Sequence, residues 1–158
     1  MVTTKIDIKE HLAEFIVGKF GDHNKDIPVR FPDSIELYHT IYDLLEKRPA
    51  NSIDRGNLEI VLPERSQGKN PVTYNYLGIR SIKIIQKRIE TMFWAELHEL
   101  LDHNKHMEGI EYADTVHVFM CRYSITSITE DALLKNYYRW RDKVRKKSKR
   151  REYKKNAA

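Results

Sequence analysis

The side chains best suited to chemistry stand at the C-terminal end. Between Lys135 and Lys155 there are twelve Lys or Arg residues, five of them Arg, against only Asp142 and Glu152. That segment carries +10 while the whole chain carries +5, so residues 1–134 are net acidic, with 16 basic and 21 acidic side chains. An acidic body with a concentrated basic end is polarised, and the partner it attracts is a polyanion. Each phosphate neutralised by Lys or Arg releases condensed counterions, which makes such binding tight at low salt and weak at high salt. Asn and Arg are also the types that read adenine and guanine edges. The candidate contact set is Lys135, Asn136, Arg139, Arg141, Lys143, Arg145, Lys146, Lys147, Lys149, Arg150 and Arg151.

Other reactive types are arranged less tellingly. His98-Glu99-Leu100-Leu101-Asp102-His103 is one residue too long for the zinc-protease helix His-Glu-x-x-His. Five positions at helical pitch set the two rings about 140° apart, so they cannot share a metal. The ordinary explanation is surface histidines near a helix C-terminus, stabilised by its dipole. Glu96, Glu99 and Asp102, and again Glu108, Glu111 and Asp114, repeat as solvated helix faces do. Arg65-Ser66-Gln67-Gly68-Lys69 has a single glycine, short of a phosphate-binding loop. No dinucleotide fingerprint or Ser nucleophile signature is present, so the reading is non-catalytic, with no cofactor and no metal. Cys121 is the only cysteine and ends the run Val-His-Val-Phe-Met-Cys, which predicts a buried structural thiol. A lone thiol suits a reducing bacterial cytoplasm. No stretch approaches the ~18–20 apolar residues of a membrane span, and the N-terminus lacks the apolar core of a secretory signal.

The elements that must position the basic end follow from periodicity. Ile8, Leu12, Phe15, Ile16 and Phe20 predict a helix over 8–20, with Gly21 as C-cap. Residues 27–31 read as a strand at a sheet edge, because Pro28 cannot donate to a ladder. Asp33 or Ser34 caps a second helix, carrying Ile35, Tyr38, Ile41, Tyr42 and Leu45 and ended by Pro49. Residues 58–62 are the best strand and are expected to pair with 27–31. Asn70-Pro71 reads as the start of a short helix before Gly78. Ile82, Ile85, Ile89, Met92, Phe93, Leu97 and Leu100 predict a long helix over 79–103, the spine of the core. A helix over 112–123 follows, then capping chemistry at Ser127 with Glu130 and at Thr129. In the last helix Leu133, Tyr137, Trp140 and Val144 share one face. Past Val144 the apolar anchors stop, and the run from Arg145 is expected to be disordered, or a solvated helix, until a phosphate backbone orders it.

The expected architecture is therefore α+β: a mainly helical single domain over 1–144 with a small two-stranded sheet, and a basic C-terminal arm over 145–158. Helix 112–123, the turn Ser124–Thr129 and the helix from Glu130 have the layout of a helix-turn-helix unit, although a plain helical hairpin fits the same pattern. With Tyr137-Tyr138-Arg139-Trp140-Arg141 following Glu130-Asp131-Ala132-Leu133-Leu134-Lys135-Asn136, the last third resembles the ends of small DNA-binding proteins of bacterial phages and mobile elements. The resemblance covers roughly 45 residues. Together with the charge it implies a regulatory or architectural DNA-binding protein, with double-stranded DNA as partner and a homodimer as one arrangement. RNA binding, for which the tyrosine-rich end supplies stacking rings, and assembly, in which the basic arm meets the acidic body of a neighbouring copy or an acidic protein partner, are the alternatives.

Overall fold

A 29-residue helix running from Ile79 to Met107 is the element on which the others pack. The computed structural model describes residues 1–157. In chain order the elements are β1 (Thr3–Ile6), α1 (Glu10–Phe20), α2 (Glu36–Leu44), β2 (Glu46–Lys47), β3 (Leu58–Val61), β4 (Tyr74–Tyr76), α3 (Ile79–Met107), α4 (Tyr112–Arg122) and α5 (Glu130–Ala157). The result is a mainly helical α+β fold. Ile85, Ile89, Phe93, Leu97 and Leu101 recur every four residues and are fully buried, which gives α3 one continuous apolar edge. It runs past the expected end at residue 103, because Lys105 and His106 in the last turn suit its negative pole. Gly109, at φ 66°, then reverses the chain.

Helices α1, α2 and α4 each pack on α3. Their meeting point is aromatic: Phe15 of α1 lies edge-on to Phe93 at 5.2 Å and to Tyr123 at 5.0 Å, and Phe119 of α4 lies 5.5 Å from Phe93. Edge-to-face rings add attraction beyond the area they bury. Gly18 lets α1 come this close, since a Cβ there would lie 2.7 Å from the Tyr123 backbone.

The sheet departs from expectation in its partner. Residues 58–61 are a strand, but β3 pairs antiparallel with β1, Thr3 facing Val61 and Ile6 facing Leu58. Residues 27–31 supply one parallel bridge, Val29 to Ile60, in which the Val29 N–H donates to Glu59 O at 2.9 Å. Pro28 confines that segment to the edge, as expected. β1 was missed because four residues are too few to show a period. The expected helix after Asn70 is instead a turn leading into a strand. Asn70 Oδ1 accepts from Val72 N–H at 3.0 Å, and Tyr74–Tyr76 then pairs with β2. Tyr-Asn-Tyr favours extended backbone, and that preference prevails over the cap. Neither Asp33 nor Ser34 caps α2, whose N-cap is Ile35.

Candidate nucleic-acid interface

Thr129 immediately precedes α5, and its hydroxyl accepts from Ala132 N–H at 3.2 Å. The expected Ser127–Glu130 capping box does not form. Glu130 turns to His117 at 2.8 Å, and Ser127 N–H donates to Glu14 at 3.1 Å. Glu14 is the residue that aims the helix. It is 4 % exposed, and its carboxylate also accepts from Thr126 N–H at 2.6 Å and Thr126 Oγ1 at 3.1 Å. Burial alone would raise its pKa, but the bonds from Thr126 and Ser127 outweigh it and hold the carboxyl below its ordinary value. With Tyr123 and Ile125 buried on either side of Ser124, the turn before α5 is fixed from below and from both flanks.

The first three turns of α5 are anchored. Leu133 and Tyr137 are fully buried, and the Tyr137 hydroxyl donates to Asp102. Burial, reinforced by that bond, keeps the phenol protonated well above its ordinary range. His98 Nε2 donates to Asn136 Oδ1 at 3.3 Å, and the His98 ring lies against Trp140, tilted by 34° with centroids 4.5 Å apart. His98 is buried rather than on the surface, which corrects the expectation from its position. Desolvation lowers its pKa, against smaller raising contributions from Asn136 and Asp102. The Arg141 guanidinium sits among the rings of Tyr112, Tyr137 and Tyr138, 5.0 Å from the last.

The structure therefore divides the candidate contact residues. Asn136 and Arg141 are engaged by the protein itself. Lys135 pairs with Asp131 at 2.8 Å across one turn, an exposed contact that is easily broken. Arg139, Lys143, Arg145, Lys146, Lys147, Lys149, Arg150 and Arg151 are exposed and, among the described residues, have no carboxylate partner. Trp140 and Val144 share the anchored face yet are 38 % and 43 % exposed, so anchoring ends at Arg141 rather than Val144. From Asp142 to Ala157 every residue is exposed and helical. Of the two states expected for the arm, the structure has the solvated helix.

α4 and α5 are consecutive helices that pack on each other, and at the start of α5 Glu130, Asp131, Lys135 and Asn136 all have partners within the protein. Glu130 and Asp131 put negative charge at the end a recognition helix presents to a groove. One other grouping escaped the sequence reading. His117 Nε2 lies 3.6 Å from Cys121 Sγ, and its Nδ1 meets Glu130, the order of a proton relay to a thiol. All three side chains are exposed, so no walls hold a substrate there. Cys121 is correspondingly an exposed thiol and not a buried one. On a helix it points away from Phe119, and only the apolar run concealed this. Among the described residues, no group of three His, Cys, Asp or Glu could hold a metal ion, and no helix is long and apolar enough to cross a membrane. No family model, curated protein or solved structure matches the chain.

Proposed function

We propose that this protein binds nucleic acid without catalysis, with double-stranded DNA as the primary partner, through the exposed half of α5. The observation that carries the reading is the arm itself. Residues 142–157 carry nine Lys or Arg against Asp142 and Glu152 on a stretch of helix with no buried side chain. A helix that buries nothing gains little from tertiary packing, and like charges along it repel. A polyanion removes that repulsion and gains counterion entropy at the same time. The contacts are to phosphate: Arg139, Lys143 and Arg145 nearest the body, with Lys146, Lys147, Lys149, Arg150 and Arg151 supplying most of the affinity. Phosphate contacts position a protein on the duplex and carry no sequence information of their own, so the role is architectural or an accessory to regulation. An exposed, unpaired Cys121 suits a reducing cytoplasm.

The test is the salt dependence of binding to a labelled duplex. Each neutralised phosphate contributes about 0.9 to the logarithmic slope. Removing residues 145–158 should weaken binding at low salt by at least tenfold and flatten the slope by several units. Unchanged affinity and slope would remove the arm from the interface. Nuclease digestion of nucleic acid that copurifies with the protein distinguishes DNA from RNA.

A further inference from the structure

A groove of about 890 Å³ runs along the outer face of α3, with Trp140 of α5 as its one aromatic wall from another element. Its floor is Trp94 and His98, and carboxylates from Glu90, Glu99 and Asp102 line it against a single lysine, Lys87. Two of the carboxylates have partners, Glu90 with Lys9 at 3.2 Å and Asp102 with the Tyr137 hydroxyl, but Glu99 is exposed and faces the opening. Indole faces rimmed by carboxylates are complementary to guanidinium and ammonium groups, which stack on the ring while pairing with the acid. The fold already uses this chemistry, with Arg65 over Tyr42 at 3.8 Å and Arg141 among three tyrosines.

We propose that the groove receives the basic arm of a second copy of this chain, so that the protein self-associates in the absence of polyanion. Charge and length both favour this occupant. The body is net acidic and the arm strongly basic. The groove follows α3 from Lys87 to His103, about 24 Å at helical rise, and the arm from Asp142 to Ala157 spans a similar ~23 Å. A molecule cannot fill its own groove, because α5 is unbroken to Ala157 and carries its arm past Trp140. Nucleic acid competes for the same cations, so the arm exchanges a protein partner for a phosphate one. Binding of arm into groove between copies closes as a reciprocal pair or continues as a chain.

Sedimentation velocity on nuclease-treated full-length protein tests this. Trp94 and Trp140 are the only two tryptophans in the chain and both line the groove, so tryptophan emission, excited selectively over the tyrosines, reports on it. At low salt, species heavier than the monomer should form with a change in tryptophan emission, and added duplex DNA or higher salt should dissociate them. Trp140→Ala and Glu99→Gln should each weaken association about tenfold while keeping the wild-type circular dichroism spectrum. Self-association and DNA binding are read apart on the same samples: deletion of 145–158 lowers both, whereas Glu99→Gln lowers only self-association. A monomer under all conditions would overturn the proposal, as would association that both substitutions leave intact. So would emission of the monomer quenched by a single-stranded oligonucleotide but not by polyphosphate, which would assign the groove to a nucleobase.

Discussion

Glu14 is the residue on which the geometry of the basic end depends most. Its carboxylate takes three hydrogen bonds from Thr126 and Ser127 while almost wholly buried. Glu14→Gln keeps the shape but sets an NH₂ group against backbone N–H donors. Chemical denaturation at neutral pH should show a loss of about 2–3 kcal/mol, the scale of hydrogen bonds to a charged group. Because the folded-state pKa lies below the ordinary carboxyl value of 4.5, the stabilisation is complete above that value. It is lost as pH falls through the folded pKa, and the substitution should flatten that acid limb. The sequence gives no sign of this role, since Glu14 stands between Ala13 and Phe15 and its donors are more than a hundred positions away. His98 was more accessible to reading. It falls four residues after Trp94 and one after Leu97, at the border of the buried stripe of α3. Cys121 was misjudged by composition, although helical spacing from Phe119 would have turned it outward.

At the scale of elements, legibility followed length. α3 spans eight turns and displays its period plainly, and α1, α4 and the start of α5 were placed within a residue or two by the same signal. β1 and β4 have four and three residues, and partners 52 or more and 27 or more positions away, so neither period nor locality marks them. The pairing of residues 58–61 was misassigned for the same reason: strand 27–31 was visible and 3–6 was not. In α5 the apolar register extends to Val144, but burial stops at Arg141, because Trp140 and Val144 pass the edge of the body before meeting anything to cover them. Thermal melting should therefore be insensitive to the arm. Removing residues 145–158 should leave Tm within about 1 °C, with helical ellipticity reduced in proportion to the residues lost. A drop of 4 °C or more, about 1–2 kcal/mol for a chain of this size, would mean the arm is held by contacts that the fold does not show.

For the whole molecule, acid is the condition that separates body from arm. His11 and His98 both have pKa values lowered chiefly by burial from an ordinary 6.5, so the fold favours the neutral rings. Their contribution is complete above about 6.5 and is lost as pH falls through the lowered values, ahead of the carboxylate limb from Glu14. Thermal melts between pH 7.5 and 5 should show Tm declining across this interval, and His98→Gln should reduce the decline. An equal decline in the variant would place the effect elsewhere. The arm contains no histidine, so this response to acid belongs to the body. The contact between Glu14 and Thr126 has a further consequence, in time rather than in space. The two are 112 residues apart, so a growing chain makes the carboxylate long before its donors exist. Until they arrive only water can satisfy it, and α1 cannot bury that face against an apolar neighbour without leaving a charge unpaired. The direction of the basic helix thus cannot be fixed until Thr126 and Ser127 have been made, and until then the same group opposes burial of that face of α1 against an apolar neighbour.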